Sequence, residues 1–210
     1  MATKTIRKTK PRQKEGASPA ARGSTVMATL EFLTEEKGAS VTKKTLERLS
    51  KEDRTRISNV IATDEVPLSV PTRLWRAIDA EIGAKDPGWV ERAGAFSIQL
   101  RGVQSYGGIL RKTTPSEFLT QHVSLFNLYY HGGDMTVVEQ ATNRATLRLV
   151  GMDTSSRDQL FCRRQTGGLA KALSFSGGKS ARVRHVRCAV EGDAFCEWDI
   201  RWEQDPERQG

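Results

Sequence analysis

The stretch Met135 to Val150, MTVVEQATNRATLRLV, decides the fold class of this chain. Ahead of it apolar residues recur at helical spacing; beyond the Gly132, Gly133 break the period changes from 3.6 to 2. Met135 to Val138 form one strand, and Ala145, Leu147 and Leu149 alternate with Thr146 and Arg148 on the next. Thr142 and Asn143 sit at the turn, so the segment reads as a β-hairpin. A second hairpin follows from Ala181 to Val190 and Phe195 to Trp202, with Cys196, Trp198, Ile200 and Trp202 on one face. Between the hairpins a helix from Ser155 carries Cys162 and reads as interrupted at Gly167 and Gly168.

Upstream the helical signal begins near Thr42, with Leu46, Leu49, Ile57 and Ile61. Another helix is marked by Ser69 as N-cap, Pro71 in the first turn, the stripe Leu74, Trp75, Ile78 and Ile82, and a stop at Gly83. Trp89, Ala93, Phe96 and Leu100 repeat the spacing. Thr114, Pro115, Ser116 and Glu117 then make a capping box, in which the Thr hydroxyl and the Glu carboxylate each take a backbone amide. Helices first, then two hairpins split by a helix, predict an α+β domain: an antiparallel sheet of about four strands packed by a layer of helices.

The 210 residues suit one domain, residues 27–210, plus a tail. Of the net charge of +8, most lies in residues 1–26, where Lys4, Arg7, Lys8, Lys10, Arg12, Lys14 and Arg22 face Glu15 alone. Like charges and few apolar residues predict a disordered basic arm, through which nucleic acid or an acidic protein partner could be engaged. No apolar run approaches the roughly 18 residues needed to cross a bilayer, and no signal peptide is visible, so a cytoplasmic address is expected. In that compartment the three cysteines read as metal ligands, small buried residues or a reactive thiol rather than a disulfide framework.

Cys162, His185, Cys188 and Cys196 offer the four ligands that a structural zinc accepts. A three-residue loop at Glu191, Gly192 and Asp193 would set Cys188 opposite Cys196 on paired strands. His185, three residues before Cys188, needs a bulge or a strand start to reach the same face. Small core cysteines and a satisfied histidine remain the bland alternative.

The ending Cys188, Ala189, Glu191, Gly192, Asp193, Cys196, Glu197, Trp198 and Trp202 resembles the 4-vinyl reductase domain. That small-molecule-binding module occurs in phenol-responsive bacterial regulators, in bacteriochlorophyll-synthesis proteins and in archaeal regulators, and is related to vesicle-tethering subunits. Its zinc-containing sensors space their ligands as Cys162, His185, Cys188 and Cys196 are spaced, with Glu in place of His185. The middle region, Thr114 to Val150, is loosely similar to myxobacterial proteins of unknown function, through Pro115, Glu117, Phe118, Leu119, Tyr129 and Tyr130. The resemblance implies a homodimeric, non-catalytic sensor or regulatory module for signalling, with zinc as structural cofactor and a pocket for a hydrophobic or aromatic small molecule.

Candidate pocket walls are Trp75, Phe96, Phe118, Phe126, Tyr129 and Tyr130, although aromatics at helical spacing are more often plain core. The alternative function is a ligand-free dimeric interaction module working through its basic arm. Catalysis is not expected: His122 and His131 lack a nucleophile motif, and the glycine pairs lack phosphate-loop spacing.

Overall fold

The structure is a computed structural model that describes residues 18–102 and 114–204; of these, the side chains of residues 101, 102, 121–125, 128, 156 and 204 fall outside the description. Strand β1 (Ala20–Arg22) runs into helix α1 (Gly23–Lys37), which is followed by α2 (Ala39–Glu47) and α3 (Lys51–Asn59). Next come β2 (Glu65–Pro67), α4 (Ser69–Ile78), α5 (Trp89–Ser97) and α6 (Pro115–Tyr129), with π-helical turns extending α4 and α5. The C-terminal half is β3 (Tyr130–His131), β4 (Asp134–Ala141), β5 (Arg144–Val150), α7 (Gln159–Phe175), β6 (Gly178–Arg187) and β7 (Cys196–Gln204).

Two antiparallel sheets result, a small one ordered β2-β1-β3 and a larger one ordered β4-β5-β7-β6. Register in the larger sheet follows the apolar alternation: Met135 pairs with Leu149, Leu147 with Trp198, and Trp198 with His185. One face therefore presents Ala145, Leu147, Leu149, Cys196, Trp198 and Ile200 to the helices, all buried. The opposite face carries Arg148, Arg184, Glu197 and Asp199 as cross-strand ion pairs. Among the described residues no helix is long and apolar enough to cross a membrane.

The α+β architecture, the first hairpin and the capped α6 agree with the expectation; Thr114 Oγ1 accepts from the Glu117 amide at 3.2 Å. Four details differ. Ordered structure reaches back into the expected arm, because Ala20 and Ala21 are small enough to pair between β2 and β3, and Val26 and Ala28 of α1 are fully buried. The helix read from Thr42 to Ile61 is two helices, α2 and α3, since Ser50 starts α3 by accepting from the Asp53 amide. Ser69 opens α4 but does not cap it with its side chain. Gly167 and Gly168 do not interrupt α7, which runs unbroken to Phe175. They let α5 and α7 touch backbone to backbone: a Cβ on Gly167 would lie 2.7 Å from Glu91 Cα and closer still to its carbonyl.

Candidate functional site

Helix α7 begins where Asp158 accepts from the Leu160 amide at 3.0 Å, and its first turn buries Cys162 completely. Strand β6 delivers His185 on the inner face, stacked on Trp198 with ring centroids 5.0 Å apart. A register shift between His185 and Arg187 then carries the chain out toward Cys188. This is the irregularity that three-residue spacing requires.

The second hairpin is not closed by the expected three-residue loop. A 3-10 turn at Ala189–Glu191 intervenes, Gly192 adopts φ +105°, and the Asp193 carboxylate accepts from the Cys188 amide at 2.7 Å. Cys196 opens β7 opposite Leu149 rather than opposite Cys188. Even so, the ligand atoms of Cys162, His185, Cys188 and Cys196 all lie within 4.8 Å of one another.

Cys162 Sγ and Cys196 Sγ lie 3.6 Å apart. Sequence reasoning missed its third member. Arg157, 3% exposed, donates from Nη1 to Cys196 Sγ at 3.0 Å and to Cys162 Sγ at 3.7 Å. The Ala189 amide adds a donor to Cys196 at 3.4 Å. Hydrogen bonding from Cys162, with His185, Arg157 and the Ala189 amide behind it, holds the Cys196 thiol well below its ordinary range. Cys162, as the donor to Cys196 and buried besides, is pushed up, and burial also raises Cys188. Cys196 is thus the more acidic of the two sulfurs and the one that Arg157 and the Ala189 amide both serve. Chemically the cluster can hold a soft metal ion or undergo thiol chemistry.

The predicted pocket walls are mostly core. Trp75, Phe118, Phe126 and Tyr130 are buried, while Phe96 and Tyr129 are partly buried against them. Phe126 packs on Tyr130 at 5.3 Å, Tyr130 on Phe161 at 5.2 Å, and Phe161 on Trp75 at 6.4 Å. Phe96 stands apart from that row, edge-on to Phe32 at 5.7 Å. Phe161 was missed beside Cys162. So was Arg164, 4% exposed, whose guanidinium lies 5.4 Å over the Trp75 ring. Its position three residues after Phe161 and four before the buried Gly168 is the available signal that it faces inward. The arm residues Lys4, Arg7, Lys8, Lys10, Arg12 and Lys14 lie outside the described residues.

No family model matches the chain, and no curated protein does. Solved structures do. A crystal structure of an Fe(II) unliganded H-NOX (heme-nitric oxide/oxygen binding) protein mutant from K. algicida is similar with TM-score 0.68 and 14% identity, covering 90% of this chain and 100% of that one. An H-NOX protein from S. oneidensis in the Fe(II)NO ligation state gives 0.66 and 15%, covering 87% and 99%. A mutant of T. Tengcongensis H-NOX gives 0.65 and 14%, covering 88% and 99%.

These likenesses correct the resemblance to the 4-vinyl reductase domain, which rested on some forty residues of local pattern, whereas the H-NOX likeness spans nearly the whole chain. The zinc expectation falls with it, because the neighbours are described by Fe(II) and heme rather than zinc. A physical reason accompanies the correction: Arg157 already supplies positive charge to two of the three sulfurs. In fold, over about nine-tenths of its length, the chain is like an H-NOX domain.

Proposed function

We propose that this chain is a non-catalytic small-molecule-sensing domain, and that heme is the ligand class its interior suits. The observation that carries the reading is a pair of buried, incompletely satisfied cations. Arg157 and Arg164 are 3% and 4% exposed, and among the described residues Arg157 Nε and Arg164 Nη1 have no hydrogen-bond partner. Their hydrogen-bond partners are sulfurs, the Met152 carbonyl and the Ser97 hydroxyl; among the described residues no carboxylate pairs with either. An uncompensated buried charge costs several kcal/mol, so such groups are normally met by an anion.

Heme presents two carboxylates on a large aromatic face, matching two guanidiniums beside the Phe126, Tyr130, Phe161 and Trp75 row. The likeness to Fe(II) and Fe(II)NO structures points the same way. Arg157 and Arg164 would hold the carboxylates, and a histidine would hold the iron. His131 is engaged by Glu65 at 3.1 Å, and His185 belongs to the cysteine cluster. Of the three histidines of the chain that leaves His122, within α6, as the one that would hold the iron. Bound heme would supply an iron able to take a diatomic gas, and the surrounding side chains would orient it and exclude water.

The test is titration of the full chain with hemin, followed by absorbance before and after reduction. Saturable binding near one equivalent, lost in His122→Ala and restored there by added imidazole, with weaker binding in Arg164→Gln, is the expected result. No saturable binding by the wild type, or binding unchanged in every variant, refutes the proposal.

A further inference from the structure

We propose that the open edge of β6 is a docking site for an extended acidic segment of a partner protein, which adds a strand to the four-stranded sheet and sets alternate carboxylates against Arg182 and Arg184. The sheet is ordered β4-β5-β7-β6, so β4 and β6 are its two edges. The β4 edge is protected: a register shift between Val137 and Glu139 interrupts its pairing, and the Gln140 amide donates to the Ser116 carbonyl of α6 at 3.1 Å. Among the described residues β6 has no such cover. None of residues 179–187 is buried, and residues 182–185 pair regularly with β7 between two register shifts. An edge of this kind presents unpaired amides and carbonyls, which a short extended chain can complete.

Charge selects the kind of chain. On the outer face Arg144 lies directly opposite Arg201, and Arg201 directly opposite Arg182, so three guanidiniums share one row across three strands. Like charges so placed repel and weaken the sheet. Glu139 pairs with Arg144, and Asp199 lies 3.2 Å from Arg201 while also holding Arg184 at 2.8 Å. Arg182 is exposed at the rim, and among the described residues no carboxylate pairs with it. With Arg148, Arg184 and Arg187 added, six arginines on this face meet three carboxylates, Glu139, Glu197 and Asp199.

A strand added beyond β6 continues that row. Directly opposed side chains stand about 4.5–5.5 Å apart at Cβ, so a carboxylate opposite Arg182 is within ion-pair reach, and the residue two positions along meets Arg184. The residue between them falls beside partly buried Val183 on the inner face, a place that suits an apolar side chain. A second copy of this chain does not fit, because pairing β6 with itself sets these arginines against one another. Nucleic acid finds no bare ring to stack on: Phe195, which lies against Arg148 and Arg187, is covered by the Arg148 guanidinium at 3.9 Å. The edge makes no use of the aromatic interior, so the inference stands apart from the heme reading.

The experiment titrates the full chain with a short fluorescein-labelled peptide that alternates glutamate and valine, follows anisotropy at low salt, and locates the contact by hydrogen–deuterium exchange. Saturable binding is expected, with new amide protection at residues 179–187. Arg182→Glu should weaken it by about five- to tenfold, the loss and reversal of one exposed ion pair, while Arg182→Lys stays close to wild type. The same peptide N-methylated throughout keeps its charges but not its strand donors, and should bind at least about tenfold more weakly. No saturable binding, protection only at residues 1–26, or equal affinity for the N-methylated peptide overturns the proposal, and these readouts use wild-type protein. Affinity unchanged in Arg182→Glu, or tighter binding of single-stranded oligothymidylate at residues 179–187, overturns it as well.

Discussion

Gly167→Ala separates two meanings of a glycine inside a helix. If Gly167 marked a weak point of α7, alanine would strengthen the helix by about 1 kcal/mol through propensity alone. In the structure Gly167 faces the backbone of α5. An added Cβ would be 2.7 Å from Glu91 Cα and nearer its carbonyl, below the 3.0 Å that real Cβ atoms keep. Ordinary carbon contacts need about 3.5 Å, so the helices would part by roughly 1 Å. Neither partner is a side chain that can rotate away. Gly94, on α5, makes the reciprocal approach to the Arg164 carbonyl, so the whole contact opens together. Overpacking of this kind costs about 3 kcal/mol at the upper end of its usual range, and the propensity gain offsets about 1, leaving a net loss near 2 kcal/mol. For a chain of this size that lowers Tm by about 4–8 °C. Thermal and urea unfolding followed by circular dichroism measure it. Gly88→Ala is the control, because the nearest atom to its added Cβ is the flexible Arg92 guanidinium at 3.5 Å, and little change is expected. A Gly167→Ala chain as stable as wild type, or more stable, refutes the close-approach reasoning.

Two further outcomes follow from named contacts. Asp86 is held at about 2 by hydrogen bonds from Arg92 and Lys37, below the ordinary 3.8. A depressed carboxylate contributes stability above its unfolded value and loses it as pH falls through the folded one, so wild-type Tm should drop between about pH 4 and 2 more steeply than that of Asp86→Asn; parallel curves would show that the contacts do not persist in solution. Thr114→Ala removes the side-chain cap of α6 and should cost about 1 kcal/mol in urea unfolding, with Thr114→Ser near wild type; equal losses in both would place the effect elsewhere than in the hydroxyl.

The first hairpin was legible because its alternation is strict and its buried face is continuous with β7, so a period of two had one register that keeps Leu147 and Leu149 inside. Helix α1 was not. Its inward stripe of Val26, Ala28, Thr29, Phe32 and Leu33 holds small and hydroxyl residues, and it follows directly on a basic arm whose composition masks it. Gly167 and Gly168 show a deeper limit, since the same residue type that weakens a helix also admits a neighbouring backbone. Only the position of α5 decides between them.

At the site the legibility divides by chemistry. Spacing located all four metal-capable side chains, because strand period, a required bulge and a helix placed them without reference to distant residues. Arg157 follows no local rule. It precedes α7 in an extended conformation, 39 residues from Cys196, and becomes visible only when the sheet and α7 are packed together. Yet it changes what the cluster can do. Without it, three sulfurs and an imidazole read as a closed metal centre; with it, two of those sulfurs already face a buried cation. The same side chain keeps one nitrogen unpartnered beside the aromatic row.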